Sequence, residues 1–250
     1  MSPYETLRKF MKSNFAEWGD GVQSDQDKKL PQPPLEKPVD EGAEIIDLPT
    51  VTDDVLTHNN LYSAIQNRKS TRAYAVESLS LEELSFLLYA TQGVKSVKGD
   101  NYATIRTVPS GGARHAFETY LVVQQVEGLK KGVYRYLALS HQLQFLFEDA
   151  DSISHLTDYS LGQPFVGNCA VTFIWSCTPY RGEWRYLMTA HKVMLLDAGH
   201  VCQNLYLACE GIRCGTCAIA AYDQKSMDDY LRLDGENEFV IYMAPVGKLK

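Results

Sequence analysis

The longest helical pattern in this 250-residue sequence runs from His191 to Ile212, and it is apolar around most of its circumference. Its apolar residues recur at intervals of three and four: Met194, Ala198, Val201, Leu205, Ala208 and Ile212, with Leu195, Cys202 and Cys209 beside them. A helix on a protein surface needs an apolar stripe on one side only. The wider stripe therefore predicts a central helix covered on most sides, with a second subunit as one candidate for the cover.

Helical and strand-like patterns alternate from residue 44 onward. Ser80 and Glu83 form a capping box, which predicts a helix beginning near Leu81. A second helix is expected over Asp54–Asn67, a third near Ser226–Leu231, and a hairpin over 132–149. Short β-branched or apolar runs predict strands at Thr119–Val126, Cys169–Ser176, Thr216–Ala220 and Glu238–Val246. The sum is an α+β fold with a central sheet flanked by helices.

Residues 1–43 are interpreted as an N-terminal extension to a domain at 44–250. Four of the ten prolines (Pro31, Pro33, Pro34 and Pro38) follow a polar stretch there. Proline lacks an amide donor and clashes with helical neighbours, so an inner strand or a helix is excluded. We expect an extended arm over 19–43. A disordered tail and an arm that crosses a partner subunit both remain open.

The composition excludes several classes of protein. Apolar residues make up 45% and charged residues 22%, as in ordinary globular domains. The net charge of −7 disfavours general nucleic-acid binding, although a single bound phosphate responds to its local field. There is no apolar stretch of bilayer length and no export signal at the N-terminus. We therefore expect a cytoplasmic protein whose six cysteines are reduced, with no membrane partner.

The segment Arg68–Arg72 (RKSTR) places three cations around two hydroxyls at the end of the expected 54–67 helix. Arginine offers forked donors, lysine a point charge and serine a short hydrogen bond, which together suit an anion. A basic helix end that offsets the macrodipole is the alternative interpretation.

The loop at 108–115 (VPSGGARH) combines a proline with paired glycines, which permit positive φ and a close approach of the backbone. A flat ligand or a plain turn would both explain it. In the segment Gly211–Asp223, small residues follow Gly215 and would let backbone amides reach a ligand.

The pair Cys214 and Cys217 has CxxC spacing, but a single pair that precedes a strand is weak evidence for zinc or for a redox site. We expect two packed thiols and no metal site. Asp197 and His200 are interpreted as a buried histidine bonded to a neighbouring carboxylate.

Taken in order, these segments resemble the nitroreductase superfamily of flavin enzymes and, within it, the SagB-type dehydrogenase group. The resemblance covers nearly everything from Ile46 to Lys250. It rests on RKSTR, LSLEELSFLLYATQGV, RTVPSGGARHAFETYLVV, GVYRY, WRY followed by LLDAGHVCQNLYLA, CAIAAYD and YMAPVGK. Each motif is modestly specific, whereas seven in the right order are strongly specific.

The resemblance implies a homodimer with FMN at the subunit interface. The segment that holds the FMN phosphate and the pyrimidine edge is matched by Arg68, Lys69, Ser70 and Arg72. The loop that packs on the isoalloxazine from the other subunit is matched by Pro109, Ser110 and Gly111. Backbone near flavin N5 is matched by Ala220 and Ala221, and the C-terminal stretch near the phosphate by Gly247 and Lys248.

The sequence departs from the family on the substrate side. Ala116 replaces a frequent proline, and His191-Lys192 replaces a frequent Tyr-Arg pair. Ile212 and Arg213 interrupt the usual approach to Gly215. These departures concern the substrate contacts more than flavin binding, and the candidates for those contacts are Tyr180, Arg185, Tyr186 and His191.

The implied activity is that of an FMN-dependent oxidoreductase with hydride transfer through flavin N5, ping-pong kinetics and no protein nucleophile. Its substrates are either nitroaromatics or quinones reduced with NAD(P)H, or peptide azolines. A non-catalytic flavin-binding or scaffold protein on the same fold is the alternative. A structural dimer without cofactor is a third interpretation.

Overall fold

The computed structural model describes residues 3–13, 15 and 21–250. Its strands, in chain order, are β1 (Ile45–Asp47), β2 (Val94–Lys98), β3 (Ala103–Arg106), β4 (Phe117–Val123), β5 (Gly132–Leu137), β6 (Gln142–Phe147), β7 (Val171–Cys177), β8 (Cys214–Thr216) and β9 (Phe239–Lys248). Its helices are α1 (Pro3–Phe10), α2 (Leu61–Asn67), α3 (Leu81–Gln92), α4 (Ser152–Tyr159), α5 (Pro164–Gly167), α6 (Tyr180–Tyr186), α7 (Ala190–Gly211) and α8 (Gln224–Tyr230).

Seven of the strands form one sheet in the order β1-β6-β5-β4-β7-β9-β8, and its paired neighbours are all antiparallel. Strands β2 and β3 form a separate hairpin. The expected α+β fold with a central sheet flanked by helices is confirmed. The described residues contain no helix long and apolar enough to cross a membrane.

The sheet is buried on both faces, which gives the molecule two cores. One face packs against α3 and α7 through side chains such as Leu121, Phe173 and Trp175. The other face packs against α4, α5 and α8 through residues such as Val122 and Ile174. Cover on both faces explains why β4 and β7 are buried along their whole length.

Helix α7 forms where the pattern predicts it, but the chain itself covers only part of its surface. Met194, Val201 and Leu205 are buried against the sheet. On the opposite side, Leu195 and Leu196 are 51% and 57% exposed. The apolar stripe is wide because α7 has two apolar faces. One face packs inside this chain, and the other faces outward.

Two of the expected elements were wrong in their extent. The helix expected over Asp54–Asn67 is a short 3-10 helix at Asp53–Val55 followed, after a break, by α2, which Asn60 caps through Ser63 N–H. The strand expected over Thr216–Ala220 ends at Thr216, and beyond it only Ile219 pairs with β9. The capping box of Ser80 and Glu83 is confirmed, and α3 begins at Leu81.

The described part of the N-terminal arm, residues 21–43, packs on its own chain. Its backbone supplies polar partners to buried arginines of the sheet: the carbonyl of Leu35 accepts from Arg106, and that of Pro38 accepts from Arg135. Lys37 forms an ion pair of 2.6 Å with Glu238. Residues 1–2, 14 and 16–20 of the extension lie outside the described residues, and its division from the domain at residue 43 stays a prediction.

Candidate functional site

The segment Arg68–Arg72 leaves the end of α2 and runs beside β8. Ser70 forms a parallel bridge with Thr216, and Thr71 N–H donates to the Thr216 carbonyl at 2.8 Å. Gly215 makes this close approach possible, since a Cβ atom there would lie 2.6 Å from Thr71 Oγ1. The backbone therefore holds the predicted anion-binding residues at the open edge of the sheet.

Tyr206 on α7 organises this edge, and the sequence analysis did not single it out. Its hydroxyl accepts a hydrogen bond of 2.9 Å from Ala218 N–H and lies 2.9 Å from Ser70 Oγ. The Arg68 guanidinium stacks over its ring at 5.1 Å. When Tyr206 donates to Ser70, the Ser70 hydroxyl hydrogen is left for an external acceptor.

The cations of this segment have no carboxylate partner. No described Asp or Glu oxygen forms an ion pair with Arg68, Lys69 or Arg72. Glu210 lies within electrostatic reach of them: burial raises its pKa, and the charges of Lys69 and Arg68 partly offset that shift. Three uncommitted cations around an exposed hydroxyl form a set of donors suited to a phosphate.

Ala220 and Ala221 continue from this edge and are both exposed. Neither has a positive φ, so an alanine side chain is accommodated there without backbone strain. The side chain of Lys248 is committed elsewhere, because it pairs with Glu83 of α3. Lys248 contributes its carbonyl to the same edge, where it accepts from Ala75 N–H at 2.9 Å.

The second predicted group, Pro109–Gly111, lies against the first half of α7. Gly111 N–H donates to the Asp197 carboxylate at 3.0 Å, and the Ser110 hydroxyl donates to it as well. Burial raises the pKa of Asp197, and these two hydrogen bonds oppose that shift. His200 lies 3.9 Å from Asp197 but is exposed rather than buried, so the expectation of a buried histidine was wrong.

Within one chain, the Arg68–Arg72 segment and the Pro109–Gly111 loop lie apart. The first is anchored at Tyr206 and the second at Asp197, and nine residues of helix span about 13 Å. A ligand that contacts both sets of residues closely therefore needs either an elongated shape or a second subunit.

The four substrate candidates fall in two places. Tyr180 and His191 line a cavity of about 770 Å³. Arg185 and Tyr186 lie outside it: Arg185 donates to Tyr102 OH at 3.2 Å and stacks on Tyr186, which contacts the glycine loop at Gly112. The structure thus places Tyr180 and His191 in one cavity, and Arg185 and Tyr186 beside the glycine loop at 108–115.

The cysteines are structural. All six are buried and free, and burial raises the pKa of Cys214 to about 12, so it stays a thiol. No group of three His, Cys, Asp or Glu side chains in the described ranges is arranged to hold a metal ion. The expectation of packed thiols at Cys214 and Cys217 is confirmed.

The sequence profile of the Nitroreductase family matches residues 65–248, which is most of the chain. This chain belongs to the nitroreductase family. The resemblance proposed from the motifs is thereby confirmed.

Two known proteins are similar in sequence to this chain. It is 29% identical over 189 residues to MJ1384 of Methanocaldococcus jannaschii, named as a nitroreductase, covering 75% of this chain and 90% of that protein. It is 34% identical over 143 residues to the trifolitoxin-processing protein TfxB of Rhizobium leguminosarum bv. trifolii, covering 52% of this chain and 37% of TfxB.

Among structures, a nitroreductase-type protein from Ralstonia eutropha superposes with a TM-score of 0.68 at 23% identity, covering 88% of this chain and 99% of that one. The E. coli microcin synthetase McbBCD complex superposes with a TM-score of 0.61 at 18% identity, covering 99% and 92%. At these identities the likeness concerns the fold. The sequence similarity to TfxB agrees with the SagB-type group.

The described site fits the flavin that this nitroreductase-family fold implies. A phosphate would find uncommitted cations at Arg68, Lys69 and Arg72 beside the Ser70 hydroxyl. A flat ring would find the exposed small side chains of Ala220 and Ala221. The fit rests on the charges and hydrogen-bond donors of these side chains and on the open space around them.

His115, in the same loop as Ser110, predicts a sensitivity to acid. Burial, reinforced by Arg106, lowers its pKa to about 3 from 6.5. Between these two values the unfolded chain binds more protons than the folded chain. The contribution of neutral His115 to the free energy of unfolding is therefore fully present above pH 6.5. It is lost as the pH falls, by up to about 1.4 kcal/mol per pH unit.

Unfolding in urea at pH 7, 6, 5 and 4 measures this effect. His115→Asn is expected to flatten the dependence on pH, because it removes the buried titrating group and tolerates the positive φ of 44° found there. The matched control, His200→Asn, removes an exposed histidine and should leave the slope as in the wild type. An unchanged slope in His115→Asn contradicts the prediction.

Proposed function

We propose that this chain is an FMN-dependent oxidoreductase that works as a cytoplasmic homodimer, with FMN bound at the subunit interface. The observation that carries the proposal is the set of three cations, Arg68, Lys69 and Arg72, which lacks a carboxylate partner among the described residues. Unpaired cations held side by side repel one another unless an anion joins them. A phosphate group supplies that anion.

The chain's own residues would bind and orient the cofactor. Arg68 and Arg72 offer forked donors to phosphate oxygens, and Ser70, aligned by Tyr206, offers its hydroxyl. Lys69 or Arg72 at the pyrimidine edge would offset negative charge that accumulates on the ring system. The backbone at Ala220–Ala221, with its small side chains, would leave room close to N5.

FMN, when bound, supplies the redox chemistry by accepting a hydride at N5 from one substrate and passing it to the next. Nothing in this scheme requires a protein nucleophile. An open face beside Ala220 and Ala221 would let the donor and the acceptor bind in turn, which gives ping-pong kinetics.

The separation of the two predicted groups supports the dimer. Asp197 holds the Ser110–Gly111 loop about 13 Å along α7 from the Tyr206 edge, so a compact site with both groups would take the loop from a second copy. The outward face of α7 carries Leu195 and Leu196, both more than half exposed. A second copy packed on that face would bury these leucines and bring its loop to the cation edge.

The substrate is either a nitroaromatic or quinone, with NAD(P)H as the electron donor, or a peptide azoline. The names of MJ1384 and of the Ralstonia protein favour the first class. The names of TfxB, a trifolitoxin-processing protein, and of the McbBCD microcin synthetase favour the peptide class.

The test is the visible absorption spectrum of the purified protein, followed by chromatography of the compound released by heat. We expect FMN near one per chain and a mass in solution of twice 28.1 kDa by light scattering. Oxidation of NADH and NADPH with a panel of acceptors then distinguishes an enzyme from a flavin-binding scaffold. A colourless monomer that takes up no added FMN would contradict the proposal.

A further inference from the structure

The cavity that Tyr180 and His191 line is a candidate binding site that the motifs did not reveal. It has a volume of about 770 Å³ and lies between the starts of α6 and α7, the region around Tyr222 and the first half of β9. Pro33 and Pro34 of the arm and Phe10 of α1 form part of its wall. A cavity of this size accommodates one ligand of drug-like dimensions.

The wall is mainly apolar and aromatic. Phe239, Ile241 and Met194 contribute apolar surface, and Tyr180 and Tyr222 contribute aromatic rings. Tyrosine faces attract cations as well as apolar groups. The body of a fitting ligand is therefore an apolar or aromatic group.

The wall carries two carboxylates, and its one described histidine, His191, is bonded to one of them. Glu183 and Glu236 line the cavity, and the described lining includes no lysine or arginine. One oxygen of Glu183 lies 2.6 Å from His191 Nε2, which leaves its other oxygen for a ligand. The acid beyond Tyr180, Asp25, accepts from the Tyr180 hydroxyl at 3.1 Å and already pairs with Lys28. Such a wall attracts positive charge and repels phosphates and carboxylates.

The cavity adjoins the proposed flavin site. Tyr222 follows directly after the exposed residues Ala220 and Ala221, and Leu195 belongs to the outward face of α7. A ligand seated in the cavity can thus extend toward the segment assigned to flavin N5. This step rests on the proposed function.

From these observations we infer that the cavity holds the substrate of the proposed oxidoreductase by an apolar or aromatic group that carries a positive charge. The nicotinamide dinucleotide, with its negative phosphates, is not the ligand of this cavity. Glu183 and Glu236 select for charge, and the aromatic wall binds the ring.

The experiment uses the purified holoprotein in its oxidised form, without an electron donor, so that no turnover occurs. Three probes of one shape, para-nitrobenzylammonium, para-nitrobenzyl alcohol and para-nitrobenzoate, are titrated by calorimetry. We expect the ammonium to bind about 10-fold more tightly than the benzoate, with the alcohol between them, since two nearby carboxylates favour one sign of charge.

The double variant Glu183→Gln with Glu236→Gln should reduce that ratio to about twofold, because it removes the negative charge and keeps the volume. Phe239→Ala should weaken all three probes alike. The control Asp229→Asn removes an exposed carboxylate on α8, outside the cavity, and should leave the ratio unchanged. Benzoate binding as tight as ammonium binding, no binding of any probe, or a ratio that survives in the double variant overturns the inference.

The FMN content of each preparation separates the two proposals. Discrimination by charge in a protein that binds no FMN keeps the cavity assignment and removes its link to oxidoreduction. A full complement of FMN with no discrimination keeps the proposed function and overturns the cavity assignment.

Discussion

Replacing both Arg68 and Arg72 by alanine is expected to weaken FMN binding by about 100-fold or more. Each arginine can offer charge-assisted hydrogen bonds to a phosphate, worth about 1.5–3 kcal/mol, or roughly 10- to 100-fold in affinity. Neither guanidinium is engaged by a described carboxylate, so its loss removes ligand contacts rather than internal ion pairs. Titration of the apoprotein with FMN, followed by flavin fluorescence, measures the dissociation constant.

Two further variants make this result specific. Arg72→Lys keeps the charge and removes the fork, so it should fall between wild type and Arg72→Ala. Lys98→Ala removes an exposed cation from β2 and should leave FMN affinity unchanged. Thermal midpoints close to that of the wild type show that the fold survives. Unchanged FMN affinity in the double variant would mean that the cluster is only a basic helix end.

Glu118→Ala is expected to destabilise the folded state by about 3–5 kcal/mol, the usual effect of leaving a buried charge unpaired. Glu118 and Arg181 are both at least 95% buried and form an ion pair of 2.5 Å. Arg181 Nε and Nη1 have no hydrogen-bond partner among the described residues, so Glu118 is the acid that compensates this guanidinium. The same carboxylate accepts from Lys37 N–H at 2.8 Å and so anchors the arm.

A second arginine depends on Glu118. Burial lowers the pKa of Arg106 to about 10, and the charge of Glu118 opposes that shift. Unfolding by heat and by urea measures the cost, which for a chain of this size corresponds to a fall of about 10 °C in Tm.

Two variants separate loss of the pair from loss of a carboxylate. Glu127→Ala removes an exposed acid and should change stability by less than about 0.5 kcal/mol. Glu118→Leu combined with Arg181→Leu replaces the whole pair by apolar volume, so it should be less destabilised than Glu118→Ala. A change below about 1 kcal/mol in Glu118→Ala contradicts the assigned role of the pair.

Elements whose signal is local were predictable from the sequence. Helix α7 follows from spacings of three and four, the start of α3 from the reciprocal bonds of Ser80 and Glu83, and the β5–β6 hairpin from alternation around a turn. The elements that were missed have weak local signals. Helix α6 begins at Tyr180 directly after a proline, and the β2–β3 hairpin is short and mostly polar.

The spacing of apolar residues in a helix did not predict how much of its apolar face is buried. Leu61 and Ile65 recur at helical spacing in α2, yet they are 65% and 58% exposed, because nothing in the described chain covers that side. The same limit applies to α7, whose stripe did not show how much of it faces outward. Periodicity records that a face is apolar and does not record what covers it.

The sequence by itself determined the family, through seven motifs in order, and the identity of the cations in RKSTR, because both depend on residue types at fixed spacing. Only the tertiary structure decided which of the cations lack an acidic partner among the described residues. Lys248 is committed to Glu83, 165 residues away along the chain, whereas Arg68 and Arg72 have no such partner among the described residues. It also decided that Tyr206 aligns Ser70 and that Glu183 and Glu236 share one cavity. Contacts of this kind join residues distant in sequence, so they arise only when the packed sheet and helices bring those residues together.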